Sequence, residues 1–413
     1  MTDMLNDETV ARTKKSEIVI EVGAFKPRAQ GLEPIVDKVI RPTYGHVLED
    51  FVPGTVFVHP RGATLDRGFM LGWAKTFMEA NPLYLNQAYA QAIGYASLPA
   101  APHLVMNLAL SLGVQNDSEK AIANLGYYDV RFLRPVYAGD TLRGMTRIVE
   151  RKDRGVGKPG IVTVETLAEN QDEEVVVQYR RKIMVPRGGD GPIASDEPSA
   201  AAPDASAPAF PWKATPKLHI PFVKSLSGSA PLGLTRTESC LGAFEAGQIW
   251  VHANGRTVTD EHVGLTYQAM NTHPLHYDRL YSRAQAGPMS GEPIVYGGLV
   301  FAWLLGLASR DISENAVWEL GFHDGYHTQP TFAGDTLSAL TRILSVEPLH
   351  DAELGIVRMQ LVGVKNLRAG DALDRFGADL FVAEDEKKKL GKEKIPEKVF
   401  EIERALLVRK SPA

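Results

Sequence analysis

Two short stretches carry the residues best suited to chemistry. Asn271-Thr272-His273-Pro274-Leu275-His276 sets two histidines around a Pro-Leu pair, and about twenty residues later Ile294-Val295-Tyr296-Gly297-Gly298 opens a strongly apolar run. Together they supply what the addition of water across an alkene conjugated to a thioester requires. Negative charge develops on the carbonyl oxygen during that addition, and backbone N–H groups at a glycine-initiated helix N-terminus can stabilise it. Gly297 and Gly298 allow a substrate to approach the backbone closely. A base must activate water near the β-carbon and an acid must protonate the α-carbon. Imidazole, with an unperturbed pKa of roughly 6.5, can do either near neutral pH, and His276 is the candidate.

The elements that must position these residues occur twice. FLRPVYAGDTLRGMTRI (Phe132–Ile148) aligns without a gap to HTQPTFAGDTLSALTRI (His327–Ile343) at an offset of 195, and GTVFVHPRGATL (Gly54–Leu65) answers GQIWVHANGRTV (Gly247–Val258) at an offset of 193. The histidine stretch itself has a histidine-free counterpart, FMEANPLYLN (Phe77–Asn86), with Glu79 where Asn271 stands and Tyr84 where His276 stands. In the first half, Leu65–Phe77 reads as a short helix. NPLYLNQAYAQAIG reads as a turn and second helix, and Pro102–Gly113 as a buried apolar helix. Strands are expected at Tyr127–Arg134, Thr141–Glu150, Ile161–Glu169 and Val175–Val185. The second half repeats this plan, with its central helix at about Gly297–Ser309. One long helix with an antiparallel meander is an α+β unit in which the sheet wraps the helix, so the chain reads as two tandem copies.

Segment boundaries follow from composition. Residues 1–45 read as an N-terminal extension with a possible strand at Glu17–Val22, 46–186 as the first repeat, 187–217 as a Pro/Ala/Ser-rich linker and 218–413 as the second repeat. VFEIERALLVRK (Val399–Lys410) answers the last strand of the first half. The charged run 371–397, with EDEKKKLGKEK, is therefore an insertion in the final hairpin, expected as a solvated loop or short exposed helix.

The 413 residues, 44% hydrophobic, suffice for two packed cores. A formal net charge of -5 gives no uniform attraction to nucleic acid or anionic membranes, and no apolar run approaches the roughly 20 residues of a spanning helix. The single cysteine, Cys240, and the absence of a secretory signal in the first thirty residues lead to the expectation of a cytoplasmic protein. Gly155–Gly160 (GVGKPG) lacks the glycine and Ser/Thr of a phosphate loop and reads as a β-turn. His323 and His327, four apart, would share one face of a strand, but no acidic or thiol ligand stands at a convincing spacing, and no metal is expected.

The segment Asn271–His276 followed by the glycine-initiated helix resembles the MaoC-like, hotdog-fold enoyl-CoA hydratases. There an Asp and a His lie in a segment approximating Asp-x-Asn-Pro-Leu-His. The resemblance implies a double hotdog, with Asn271 at the Asp position, His273 at the Asn position and His276 at the His position. An amide can orient water but cannot accept its proton, so His276 would carry both proton transfers. IANLGYYDVRF…VYAGDTL, NQDEEVVVQYRRKIMV, IVYGG and YHTQPTFAGDTL narrow the resemblance to the mesaconyl-CoA hydratases, in which an Asn-Thr-x-x-x-His segment also replaces the Asp form. This covers roughly Val47 to Arg368.

The resemblance implies reversible, cofactor-free hydration of a branched, carboxylated enoyl-CoA, mesaconyl-CoA to β-methylmalyl-CoA. Catalysis would rest on His276 and Asn271, with Gly297 and Gly298 as the oxyanion site beside Tyr296. The first repeat, having lost that chemistry, would complete the acyl-CoA pocket. A second carboxylate on the substrate would call for a cation or donors, for which His273, His323, His327 and Arg131 are candidates. Arg131 and His327 read equally well as outward strand residues. A homo-oligomer of double-hotdog subunits is compatible with the fold. Alternatives are hydration of another short enoyl-CoA, acyl-CoA thioester hydrolysis, and non-catalytic acyl-CoA binding.

Overall fold

The computed structural model describes residues 39–191, 193, 209–218, 234–235, 239–285, 290–350 and 352–410. The expected strand at Glu17–Val22 lies outside them. The chain divides into two units, Met1–Thr43 and Tyr44–Ala413, and both repeats lie in the second.

Two helices are apolar on every side and must therefore be enclosed: α3, Pro102–Gly113, and α6, Gly297–Ile312. Nearly every residue of each is buried. Ahead of α3 run β1 (Val56–Val58), β2 (Ala63–Thr64), α1 (Arg67–Thr76) and α2 (Gln87–Ala92). After it come β3 (Ala123–Phe132), β4 (Thr141–Lys152), β5 (Gly160–Glu169) and β6 (Val175–Val185). The second repeat runs β7 (Ile249–Thr257), α4 (Glu261–Gln268), α5 (Arg279–Ala284), α6, β8 (Ala316–His327), β9 (Thr336–Pro348), β10 (Leu354–Lys365), α7 (Ala369–Phe376) and β11 (Lys398–Arg409).

The strands form one antiparallel sheet in the order β1-β4-β5-β6-β3-β8-β11-β10-β9-β7, with β2 paired to β4. The order in one half mirrors that in the other, and the halves meet at the β3–β8 pair, where Tyr127 opposes Gly325 and Val130 opposes Phe322. This is a double hotdog, two sheets wrapped on two helices and fused edge to edge. Helix α6 is approached so closely that a Cβ on Gly306 would stand 1.6 Å from the carbonyl oxygen of Phe77, at the end of α1, and one on Gly298 would stand 1.9 Å from Asn107 Oδ1 of α3. The shared Ala-Gly-Asp-Thr-Leu motif is a turn. Gly139 and Gly334 adopt φ values of +99° and +95°, and the carboxylates of Asp140 and Asp335 accept the N–H of Tyr137 and Phe332.

The charged insertion departs from expectation. Ala369, Ala372, Leu380, Phe381 and Ile395 pack with Leu340, Val362 and Val364, roofing the outer face of β9 and β10. Its lysines are not all solvated either. Lys387 Nζ lies 2.5 Å from Glu384 Oε1, and Lys398 at the start of β11 reaches the same Glu384 oxygen at 3.7 Å, all three residues buried. Apolar residues scattered between charges gave the segment an amphipathic face that a count of its charges conceals. At the other end of the linker, Phe210 and Trp212 stack on one another and lie under the guanidinium groups of Arg147 and Arg180.

Candidate active site

A cavity of about 370 Å³ opens between the repeats. The second repeat lines it with Asn271, His273 and His276, with Ile294–Gly297 at the start of α6, and with His327–Pro330 after β8. The first repeat contributes Ser118, Asn124, Tyr127 and Arg181.

His276 closes a single 3-10 turn, Pro274–His276, whose first N–H groups need a cap. Asn271 Oδ1 accepts the N–H of His273 at 2.9 Å, and His273 Nδ1 accepts that of Leu275 at 3.2 Å, so the two residues hold the turn in series. His276 Nδ1 lies 3.0 Å from the carbonyl oxygen of Ile294 and must donate to it, which leaves Nε2 as the unprotonated nitrogen. Burial, reinforced by the neighbouring His273, pushes the His276 pKa down to about 3. The side chain is thus a neutral imidazole of fixed tautomer beside the first turn of α6.

His273 reaches the cavity, but its Nε2 donates to the carbonyl of Ala121 in the first repeat at 2.8 Å. With both nitrogens engaged it is a strut between the repeats, a correction to its candidacy as a substrate-binding cation; burial also lowers its pKa. Asn81 does the same work in the first repeat, capping Leu83 and donating to the carbonyls of Ser313 and Ala316.

Tyr296 stands at the N-cap position of α6 without a side-chain capping bond and is buried beside Ser111 and Asn271; burial pushes its hydroxyl up to about 12. Gly297 and Gly298 follow at the first two helical positions, whose N–H groups have no partner within a helix. They divide the roles expected of them. Gly297 borders the main cavity, and a Cβ there would stand 2.6 Å from the His327 ring, whereas Gly298 borders a small void of about 10 Å³ at the crossing with Asn107.

His327 lines the cavity, its Nε2 3.4 Å from the Tyr127 hydroxyl, and burial holds its pKa at about 4. His323 and His327 do not share a face. Between them the β8–β11 register slips by one residue, with Asp324 at φ +46°, which sends His323 outward to Asp129 and Asp324. Arg131 is also absent from the cavity. It is half-exposed, donates to the Val130 carbonyl and pairs with Asp129 on the outer surface.

The sequence reading passed over Arg181, whose side chain is 4% exposed yet lines the cavity. Its signal was alternation along β6, where Tyr179, Arg181 and Ile183 are buried between exposed Arg180 and Lys182. An arginine in register with two large apolar neighbours belongs to the inner face.

In the first repeat the corresponding space is nearly closed, at about 20 Å³, with Tyr84, Tyr95, Trp318 and Glu319 in its walls. Helix α3 begins with Pro102 where α6 has Gly297, and proline has no N–H to donate. Glu319 stands where the repeat offset puts Asn124, and it accepts from Arg404, the residue paired with Phe322 as Arg181 is with Tyr127.

Comparison with known proteins agrees with the fold and gives the family. The family model for mesaconyl-CoA hydratase matches residues 28–369. β-Methylmalyl-CoA dehydratase of Chloroflexus aurantiacus is 29% identical over 325 residues, 78% of this chain and 89% of its own length. Mesaconyl-CoA hydratase of Cereibacter sphaeroides is 29% identical over 339 residues, 78% and 90% of the two chains. A crystal structure of a MaoC domain protein dehydratase from C. aurantiacus superposes with a TM-score of 0.75 at 26% identity, over 90% of this chain and 99% of that one. A Mycobacterium tuberculosis protein with a double hotdog fold gives a TM-score of 0.64 at 21% identity, over 88% and 98%, and shows the same fold. The matched residues span both repeats, the histidine turn and the start of α6, and the chain belongs to the mesaconyl-CoA hydratase family.

Proposed function

We propose that the protein is a hydro-lyase that reversibly hydrates mesaconyl-CoA to β-methylmalyl-CoA, the substrate and product named for its relatives. The observation that carries this reading is the tautomer of His276. With Nδ1–H given to Ile294, Nε2 is free to take a proton from water in a cavity that also borders Gly297.

In the forward direction Nε2 removes a proton as the water oxygen bonds to the β-carbon. The alkene electrons move onto the thioester oxygen, where the Gly297 N–H and the positive end of α6 stabilise them. The resulting imidazolium returns its proton to the α-carbon and the carbonyl re-forms. Asn271 supports this chemistry by holding the turn, since an amide takes up no proton. The first repeat supplies no second centre, because Tyr84 and Pro102 replace the base and the donor, and it serves to wall the pocket. Among the described residues no helix is long and apolar enough to cross a membrane. The single cysteine supports a reducing, cytoplasmic setting.

The test offers mesaconyl-CoA, crotonyl-CoA and a long-chain enoyl-CoA side by side and follows enoyl absorbance together with free thiol. Loss of the enoyl chromophore with the thioester intact, fastest for mesaconyl-CoA, supports the reading. Release of thiol marks a thioesterase, and no change in either marks a binding protein.

A further inference from the structure

We propose that Arg181 and Asn124, both supplied by the first repeat, form the subsite for a second carboxylate on the acyl chain. The assignment rests on the hydratase reading above. Among the described residues that line the cavity, Arg181 alone carries a full positive charge, since burial keeps His273, His276 and His327 neutral near pH 7. Its Nη2 donates to Asp117 Oδ1 at 3.1 Å and to Ser118 Oγ at 3.0 Å, while Nε, buried, has no acceptor. A guanidinium offers five donors in a planar fork suited to a carboxylate, and Asp117 keeps it charged when the cavity is empty.

Asn124 adds to the demand for a ligand. It borders the cavity beside the Tyr127 hydroxyl, yet neither Oδ1 nor Nδ2 meets a hydrogen-bond partner at bonding geometry. Buried polar atoms left without partners are costly, and a ligand that completes their bonds is favoured for that reason.

The other repeat provides an internal control. There Glu319, at the position of Asn124, sits 2.7 Å from Arg404, at the position of Arg181, and the space that Glu319 borders is about 20 Å³ rather than about 370 Å³. Both arginines have a carboxylate partner, Asp117 for Arg181 and Glu319 for Arg404, and the repeats differ at the position facing the cavity: with Glu319 there the space is nearly closed, and with Asn124 there it is open. In β-methylmalyl-CoA the carbon that takes the hydroxyl also bears the second carboxylate. The subsite must then adjoin His276, and all three residues line one cavity.

The test uses saturated analogues that cannot take up water, succinyl-CoA with a second carboxylate and butyryl-CoA without one, titrated calorimetrically into the full chain. The wild type is expected to bind succinyl-CoA more tightly. Asn124→Glu, which copies the Glu319–Arg404 pair, is expected to lower that preference by about 30-fold or more. Arg181→Lys keeps a charge but loses the fork, and lowers it less; circular dichroism confirms that each variant is folded. Equal affinity of the wild type for the two analogues, or an unchanged preference in both variants, overturns the proposal. Failure of a protein that keeps the preference to hydrate mesaconyl-CoA removes the hydratase reading and leaves the subsite standing.

Discussion

The Nδ1 of His276 lies 3.0 Å from the carbonyl oxygen of Ile294, two residues before Tyr296 at the N-cap position of α6. One hydrogen bond thereby ties the imidazole to the segment that leads into the helix. His276→Ala removes the sole proposed proton carrier, and mesaconyl-CoA hydration is expected to fall by about 10²–10⁴-fold with the fold retained by circular dichroism. An enoyl-absorbance assay at wild-type rate in this variant would dismiss the assignment.

If one imidazole both takes the proton from water and returns it, hydroxyl and hydrogen arrive on the same face of the alkene. Hydration of mesaconyl-CoA creates two adjacent stereocentres, and the product should therefore be the diastereomer of syn addition, identified against authentic erythro and threo standards. Anti addition would require a second proton donor across the cavity.

Asn271 should matter through its carbonyl. Asn271→Ala leaves the buried His273 N–H without its acceptor, which costs roughly 1–3 kcal/mol in stability, and kcat is expected to fall as the turn loosens. Asn271→Asp keeps an oxygen there and should retain the fold. Denaturant titration of the pair separates the two, and equal stabilities would contradict the capping role.

Two glycines of α6 should respond differently to alanine. Gly306→Ala meets the Phe77 backbone at the end of α1, which must shift away from α6 to admit the methyl group, and is expected to cost about 3 kcal/mol by urea unfolding. Gly297→Ala meets only the His327 ring, and should reduce kcat/KM more than it reduces stability.

Acid should destabilise the fold before it inactivates the base. Burial holds the folded-state pKa values of His276 and His327 at about 3 and about 4, against an ordinary imidazole value of 6.5. Below pH 6.5 the unfolded chain therefore binds protons that the folded chain refuses, and stability falls with pH down to those values. His327→Phe, copying Phe132 of the first repeat, removes one such proton. The fall in melting temperature between pH 6.5 and 4 should be shallower in this variant, and an unchanged slope would place the acid sensitivity elsewhere.

The repeat, the helices at Pro102–Gly113 and from Gly297, and the four strands of the first half were readable because each rests on local pattern and on self-similarity at a fixed offset. The histidine turn was readable for the same reason, since Asn81, Pro82 and Leu83 repeat the frame around His276. Arg131 and Arg181 show where this ends. Both lie on strands that line the junction, but bulges in β3 and β8 change which face a side chain takes, so spacing alone misplaces His323 and Arg131. The insertion after Arg368 was misread for a related reason, because its apolar residues matter only once the outer face of β9 and β10 exists to receive them.

The sequence by itself determined two copies of one unit and a single copy with a histidine in its turn, since both depend on residue identity at matched positions. The tertiary structure alone decided that Arg181 and Asn124 of one repeat share a cavity with His276 of the other, and that Arg404 is silenced by Glu319. Those relations are made by β3 pairing with β8 and α3 crossing α6, contacts between residues far apart in the chain that no local pattern encodes.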